Sequence, residues 1–287
     1  MKYVEAEAEF REAIRNNPHN ADYHKYLGRS LSIQKKYEEA KATFEEALRI
    51  DPACFYAYYG LSFIFYNEKN YAEAEAACRE AIKLEPDDVD TYNNLGRSLM
   101  AQKKNEEAKT AFKEAIKIDP AYFYAYYNLG DIFYAEKNYS EADTAYGEVI
   151  KLKPDGVDAY NQLGRSLMAQ KKNEEAKAAF KEAIRIDPAY FYAHYNLGVV
   201  FYDEKNYAEA EAEYEEVIKL KPDNADAYNN LGLILEQLGR FEEARLAYNK
   251  ALSITPDHAQ AKNNLKLLSR NKSIKMSIIT ALPKKQV

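Results

Sequence analysis

In the stretch VDTYNNLGRSLMAQ, residues 89–102, apolar side chains recur at Tyr92, Leu95 and Leu99. In NEEAKTAFKEAIKI, residues 105–118, they recur at Ala108, Ala111, Phe112, Ala115 and Ile116. Both spacings place the apolar set on one stripe of a helix, so each segment predicts an amphipathic helix. The polar step KKN between them predicts a turn. Asp88 and Asn224 stand just ahead of such first helices and suit N-caps, because their side-chain oxygens can accept from unpaired backbone N–H groups. Prolines fall at 18, 52, 86, 120, 154, 188, 222 and 256, always 34 residues apart. Inside a helix a proline removes a hydrogen bond and clashes with the preceding turn, so each one marks the end of a second helix. A fixed period of this size predicts identical two-helix units packed side by side.

Counting each unit from the first residue of its first helix makes Val89 position 1. Position 8 is then Gly28, Gly96, Gly130, Gly164, Gly198 and Gly232. Position 20 is Ala40, Ala74, Ala108, Ala142, Ala176, Ala210 and Ala244, and position 24 is Phe44, Phe112, Tyr146, Phe180, Tyr214 and Tyr248. With an aromatic at 4, Leu at 7, a large apolar residue at 11, Ala at 27 and Pro at 32, the pattern resembles the tetratricopeptide repeat (TPR). The resemblance implies an all-α fold, an α-solenoid wound as a right-handed superhelix of helix-turn-helix TPR units. A helix-interior Gly costs about 1 kcal/mol against Ala. That cost is tolerable where the second helix leans on the first, at Gly 8 and Ala 20. Ser62 replaces Gly at position 8 of the second unit, Cys78 replaces its aromatic at 24, and Val149 and Val217 replace Ala 27.

The same register divides the chain. Residues 1–20 read as an N-terminal half repeat: 3–16 match only a second helix, with Ala6, Phe10 and Ala13 at positions 20, 24 and 27. The chain thus starts in mid-repeat, as a piece of a longer protein would, or uses this helix as a cap. Residues 21–256 hold seven full units. Residues 257–270 read as a polar capping helix, with Lys262, Lys266 and Ser269 where 4, 8 and 11 would be; solenoid ends need such a face for solubility. The basic tail at 271–287, NKSIKMSIITALPKKQV, has no acidic residue. It reads as a frayed, disordered end, as a segment that docks on another surface such as a neighbouring copy, or as a helical extension ending at Pro283.

A second period of 68 overlies the first. Residues 87–154 and 155–222 agree at 54 of 68 positions. Polar units (from 21, 89, 157 and 225) alternate with aromatic ones (from 55, 123 and 191), whose first helices carry sequences such as FYAYYNLGDIFY. At about 100° per residue, positions 4, 7, 8 and 11 form the core stripe, which takes Tyr126 and Phe133. Phe123, at position 1, is expected at the edge of a neighbouring helix. Positions 2, 5 and 12 point away from the unit's own core. They hold Tyr56, Tyr59 and Tyr66, then Tyr124, Tyr127 and Tyr134, then Tyr192, Tyr195 and Tyr202. In the polar units these columns read Asp, Asn or Lys, and Arg or Leu, including Asn93, Arg97, Asn161, Arg165 and Asn229.

In TPR proteins that face of the first helix lines a concave groove that holds partners, so the resemblance implies a protein or peptide ligand there. Exposed rings without a partner invite aggregation, and Tyr and Arg are enriched at binding hot spots. Position 6 adds Asn94, Asn128, Asn196 and Asn230, with Gln162 between and breaks at Tyr26 and Gly60. This column is similar to the asparagine ladder of O-linked glycosyltransferase superhelices, where amides hold the main chain of an extended peptide; an amide both donates and accepts. The carboxylate clamp that grips heat-shock protein tails does not fit, since its Lys and Asn positions read Lys25, Arg29, Gly60, Asp90 and Asn94. The expected function is an interaction scaffold or adaptor that binds an extended or helical segment. Two other classes stay open: a glycan or single-stranded nucleic acid stacked on the same rings, and a self-assembling structural solenoid, with self-association through the tail.

Formal net charge is −6 over 287 residues, which makes nucleic acid an unlikely partner. There is no apolar run of membrane-spanning length and no signal-peptide core, and two cysteines make no disulfide framework. A cytoplasmic protein is expected. We find no phosphate loop, metal-ligand spacing or nucleophile motif, so neither enzyme activity nor a cofactor or metal is expected. His194 occupies an aromatic core position and reads as packed.

Overall fold

The computed structural model describes residues 2–269. The chain divides into two compact units, with the boundary between Lys153 and Pro154. The first holds α1 (Lys2–Asn16) and four helix pairs: α2 (Ala21–Ile33) with α3 (Tyr37–Ile50), α4 (Phe55–Asn67) with α5 (Tyr71–Leu84), α6 (Val89–Ala101) with α7 (Asn105–Ile118), and α8 (Phe123–Ala135) with α9 (Tyr139–Leu152). The second holds α10 (Val157–Ala169) with α11 (Asn173–Ile186), α12 (Phe191–Asp203) with α13 (Tyr207–Leu220), α14 (Ala225–Gln237) with α15 (Phe241–Ile254), and a last helix, α16, over 259–269. The described residues contain no strand. None of their helices is long and apolar enough to cross a membrane. The tail reading at 271–287 lies outside the described residues.

Local chemistry explains each boundary. Asn20, Asp88 and Asn224 cap α2, α6 and α14 by accepting from backbone N–H groups of the first turn. The aromatic first helices lack a side-chain cap. Each first helix ends on a left-handed residue: Lys35, Lys69, Lys103, Lys137, Lys171 and Lys205 have φ of 61–64°, and Gly239 takes the place in the last pair. After Lys103, the Lys104 N–H donates to the Leu99 carbonyl at 2.9 Å, the closure that ends a helix and turns the chain sharply. Six lysines therefore accept a conformation that favours Gly.

Within a pair the ring at position 24 lies on the glycine at position 8. A Cβ on Gly96 would stand 2.5 Å from the Phe112 ring, and one on Gly130 would stand 2.5 Å from Tyr146. Phe112, Tyr146, Phe180 and Tyr248 are fully buried as a result. The α4/α5 pair solves the contact differently: the bulkier Ser62 faces the smaller Cys78, and both are buried. Cys54 and Cys78 are both free. Burial pushes the Cys78 thiol up to about 11, so it stays protonated and packs as an apolar group.

Charges join neighbouring pairs along the second helices. Gln34 and Lys36 grip Glu7 of α1 at 2.9 and 2.8 Å. With Lys36 foremost and Arg11 next, these partners hold the Glu7 carboxyl down to about 2. Gln102 and Lys104 hold Glu75 in the same way, and Arg240 holds Glu211. At the intervening junctions the signs exchange: Lys109 meets Glu136 at 3.1 Å and Lys177 meets Glu204 at 2.8 Å.

Candidate functional site

In the first unit α2, α4, α6 and α8 touch in turn, each against the next. Their faces opposite the second helices carry the predicted columns. Position 2 is the most open: Tyr56, Tyr124 and Tyr192 are 53%, 54% and 53% exposed. Each ring leans on its neighbour in sequence, with centroid distances of 4.1 Å for Phe123 and Tyr124 and 4.0 Å for Phe191 and Tyr192. Tyr122 and Tyr190 flank these pairs. Their hydroxyls donate at 2.7 Å to Asp90 and Asp158, 32 residues back. The band of Asp expected beside the rings is therefore bound up in holding the next helix start, and His258 holds Asp226 in the same place.

Positions 5 and 12 differ from the wheel. Tyr127 and Tyr195 are half-buried, edge-on to Tyr146 and Tyr214 of their own pair at 5.9 and 5.4 Å. Tyr66, Tyr134 and Tyr202 likewise meet Tyr71, Tyr139 and Tyr207 at 5.5–5.8 Å. They do not point clear of their own unit, as expected from the angle of the Cα–Cβ bond alone. A phenol is long enough to reach round the helix to the next ring and keep only its hydroxyl end near water. Burial raises the pKa of Tyr59, Tyr195 and Tyr202, so these phenols stay neutral. Tyr59 stacks on Phe55 at 6.0 Å.

The amide columns pair with each other. Asn128 donates to Asn93 at 2.9 Å, Asn196 to Asn161 at 2.8 Å, and Asn264 to Asn229 at 3.0 Å. Each bond spans 35 residues and ties one first helix to the next. Where position 5 is tyrosine, Asn230 donates to the Tyr195 hydroxyl, and the Asn94 amide faces Tyr59. Asn93, Asn161 and Asn229 are buried, so their amides serve this joint. Asn128 and Asn196 are half-buried, and each spends one N–H on the joint; a primary amide has a second N–H and a carbonyl oxygen besides. The guanidinium of Arg97 lies 4.4 Å from the Tyr66 ring centre, and Arg165 donates to Gln162 at 2.6 Å.

Sequence reasoning did not anticipate the 35-residue amide joints, although the recurrence of Asn at 93 and 128 and at 161 and 196 is their visible trace. It also missed a cavity of about 820 Å³ where the position-6 column breaks, between α2, α4 and the start of α6. Among the described residues no three His, Cys, Asp or Glu side chains converge as a metal site.

Known proteins give the same architecture. Models of the tetratricopeptide repeat match residues 2–52, 161–224 and 195–259, and 31–99 and 65–111. A TPR repeat model matches 96–136 and 130–170. No curated protein matches the sequence. Among solved structures, the chain is similar to YrrB, described as a TPR protein with an unusual peptide-binding site (24% identity over 67% of this chain and 100% of that one, TM-score 0.56). It is also similar to pilF of Pseudomonas aeruginosa (20% identity, 74% and 96%, TM-score 0.63) and to yeast Tom70 (17% identity, 95% and 60%, TM-score 0.60). At these identities the likeness is one of fold. The matched repeats span the helix pairs from α1 to α15, and the chain belongs to the tetratricopeptide repeat family.

Proposed function

We propose that the chain is a protein-interaction scaffold whose first-helix faces hold an extended or helical segment of a partner. The observation that carries this reading is the recurrence of a half-exposed tyrosine at position 2 of every aromatic unit. Each stands over half-buried phenols, and Tyr124 and Tyr192 precede by one helical turn Asn128 and Asn196, whose amides have hydrogen-bonding capacity beyond their joint. In either unit such a ring would supply apolar contact at about 25 cal/mol per Å² buried, with little side-chain entropy to lose. Asn128 and Asn196 would take main-chain groups of the segment through the amide atoms that their joints leave over. YrrB is described as peptide-binding, and this reading extends that class of ligand to the present chain. Asn93, Asn161 and Asn229 act in it as supports of the helix-to-helix joint, while Arg97 and Arg165 orient neighbouring side chains.

The test uses peptides selected from a displayed random library on the wild-type chain. Replacing Tyr124 and Tyr192 together with Ala should weaken the selected peptides by about ten-fold or more while helical circular dichroism is unchanged. Equal affinity for the two chains would remove the tyrosine face from the account.

A further inference from the structure

The position-6 column is interrupted at Tyr26 and Gly60, and at Gly60 the interruption has a steric cause. A Cβ on Gly60 would lie 2.4 Å from the Phe44 ring, which also closes on Gly28. No side chain fits at residue 60, and the space that an amide fills elsewhere is part of the 820 Å³ cavity. Phe44, Tyr59 and Phe63 give it an aromatic lining. That volume is in the range of small-ligand pockets, about 300–1,000 Å³, and suits one or two side chains of a visiting segment.

Its polar groups are not balanced. Ser32 lies in the cavity lining with its Oγ closed off from solvent. Arg29 and Lys35 also line the cavity. Unlike Arg97 and Arg165, which sit on a ring and an amide, these two make no side-chain bond or ring contact among the described residues. Lys25 is already held by Asp22 and lies over the Tyr26 and Tyr56 rings. On the opposite rim Asp88 is spent in capping α6, and Asp90 accepts from Tyr122. Both carboxylates keep their charge, so the cavity is polarised across an apolar floor, positive along α2 at Arg29 and Lys35 and negative at the start of α6.

We infer that this cavity is an anchor site for an acidic peptide segment, taking one aromatic side chain onto Tyr59 and Phe63 with flanking carboxylates toward Arg29 and Lys35 on the α2 rim. The inference rests on the scaffold reading and assigns the chemistry of the ligand at one place in it. Along the α2 rim a basic segment is disfavoured by the same two cations.

The experiment is fluorescence anisotropy with synthetic 12-residue peptides, acetylated and amidated so that no terminal carboxylate contributes. One carries a central Phe flanked by Glu and Asp, a second has Lys at the flanks, and a third has Ala at the centre of the acidic flanks. The first should bind, and the other two should bind at least about ten-fold more weakly. Arg29→Glu should weaken the first by a similar factor and strengthen the Lys-flanked peptide, with unchanged circular dichroism. This reversal separates lost charge recognition from lost folding. Equal binding of acidic and Lys-flanked peptides, indifference to Arg29→Glu, or no binding of the first peptide overturns the assignment. If the first peptide instead responds to Tyr124→Ala with Tyr192→Ala and not to Arg29→Glu, the tyrosine face stands and the anchor site falls.

Discussion

Ser62 and Cys78 exchange volume across one contact. Elsewhere a glycine without a side chain meets a whole ring, whereas here a hydroxymethyl group meets a thiol. Cys78→Phe should lower stability by about 1–3 kcal/mol, because the ring would arrive where Ser62 already stands. Adding Ser62→Gly should recover most of that loss in thermal melts, and a double variant no better than the single would show that volume exchange is not the reason for the pair. His194 is a second residue with its own signature. Its Nδ1 faces Glu213 Oε2 at 2.7 Å and its Nε2 faces the Pro188 carbonyl at 3.3 Å. Two acceptors favour the imidazolium, and the Glu213 contact is the main cause of its raised pKa. A raised folded-state value stabilises fully below the ordinary 6.5 and is lost as pH rises through the higher folded value. His194→Tyr, the residue at Tyr58 and Tyr126, should remove that part of the decline. Urea midpoints measured from pH 5 to pH 9 on both chains would show it, and parallel curves would rule it out.

Among the elements, the junctions between pairs carry an alternating sign. Position 21 of the unit, on the second helix, is Lys41, Glu75, Lys109, Asp143, Lys177 and Glu211 in order, and the partners Lys104 of Glu75, Glu136 of Lys109, Glu204 of Lys177 and Arg240 of Glu211 alternate to match. Lys109 is only 13% exposed at its side chain and Glu136 is 25% exposed, so their contact is screened less than a surface pair. Lys109→Glu should cost about 1–2 kcal/mol, above the surface norm and below that of a fully buried pair. Glu136→Lys in the same chain should restore most of it; strict additivity in the cycle would show that the two do not act on each other. The helices themselves were legible in the sequence, because caps, prolines and apolar stripes are local signals. The exposure at position 2 was legible for the same reason, since the Cβ direction alone sets it. Positions 5 and 12 were not, because a ring's reach and its neighbours decide where a phenol ends. The amide joints and the cavity at Gly60 depend on how one pair seats on the next, and no single helix wheel contains that information.

At the scale of the chain, stability in a repeat array is close to a sum of unit terms and junction terms. The alternating junction charges then give the array a rule of composition. Removing residues 89–122 would bring Glu75 against Glu136, carboxylate to carboxylate. Removing 55–122 would bring Lys41 against Glu136, in the role that Lys109 now fills. The longer excision should therefore yield the better-folded product, with a sharper thermal transition than the shorter one despite losing twice as many residues; the reverse ranking would show that junction sign is unimportant. The grammar of this protein is thus written in two-word phrases. A chain that grows or shrinks by copying and deletion keeps its sense when it does so by whole phrases of 68 residues, and an odd number of words leaves two like charges adjacent.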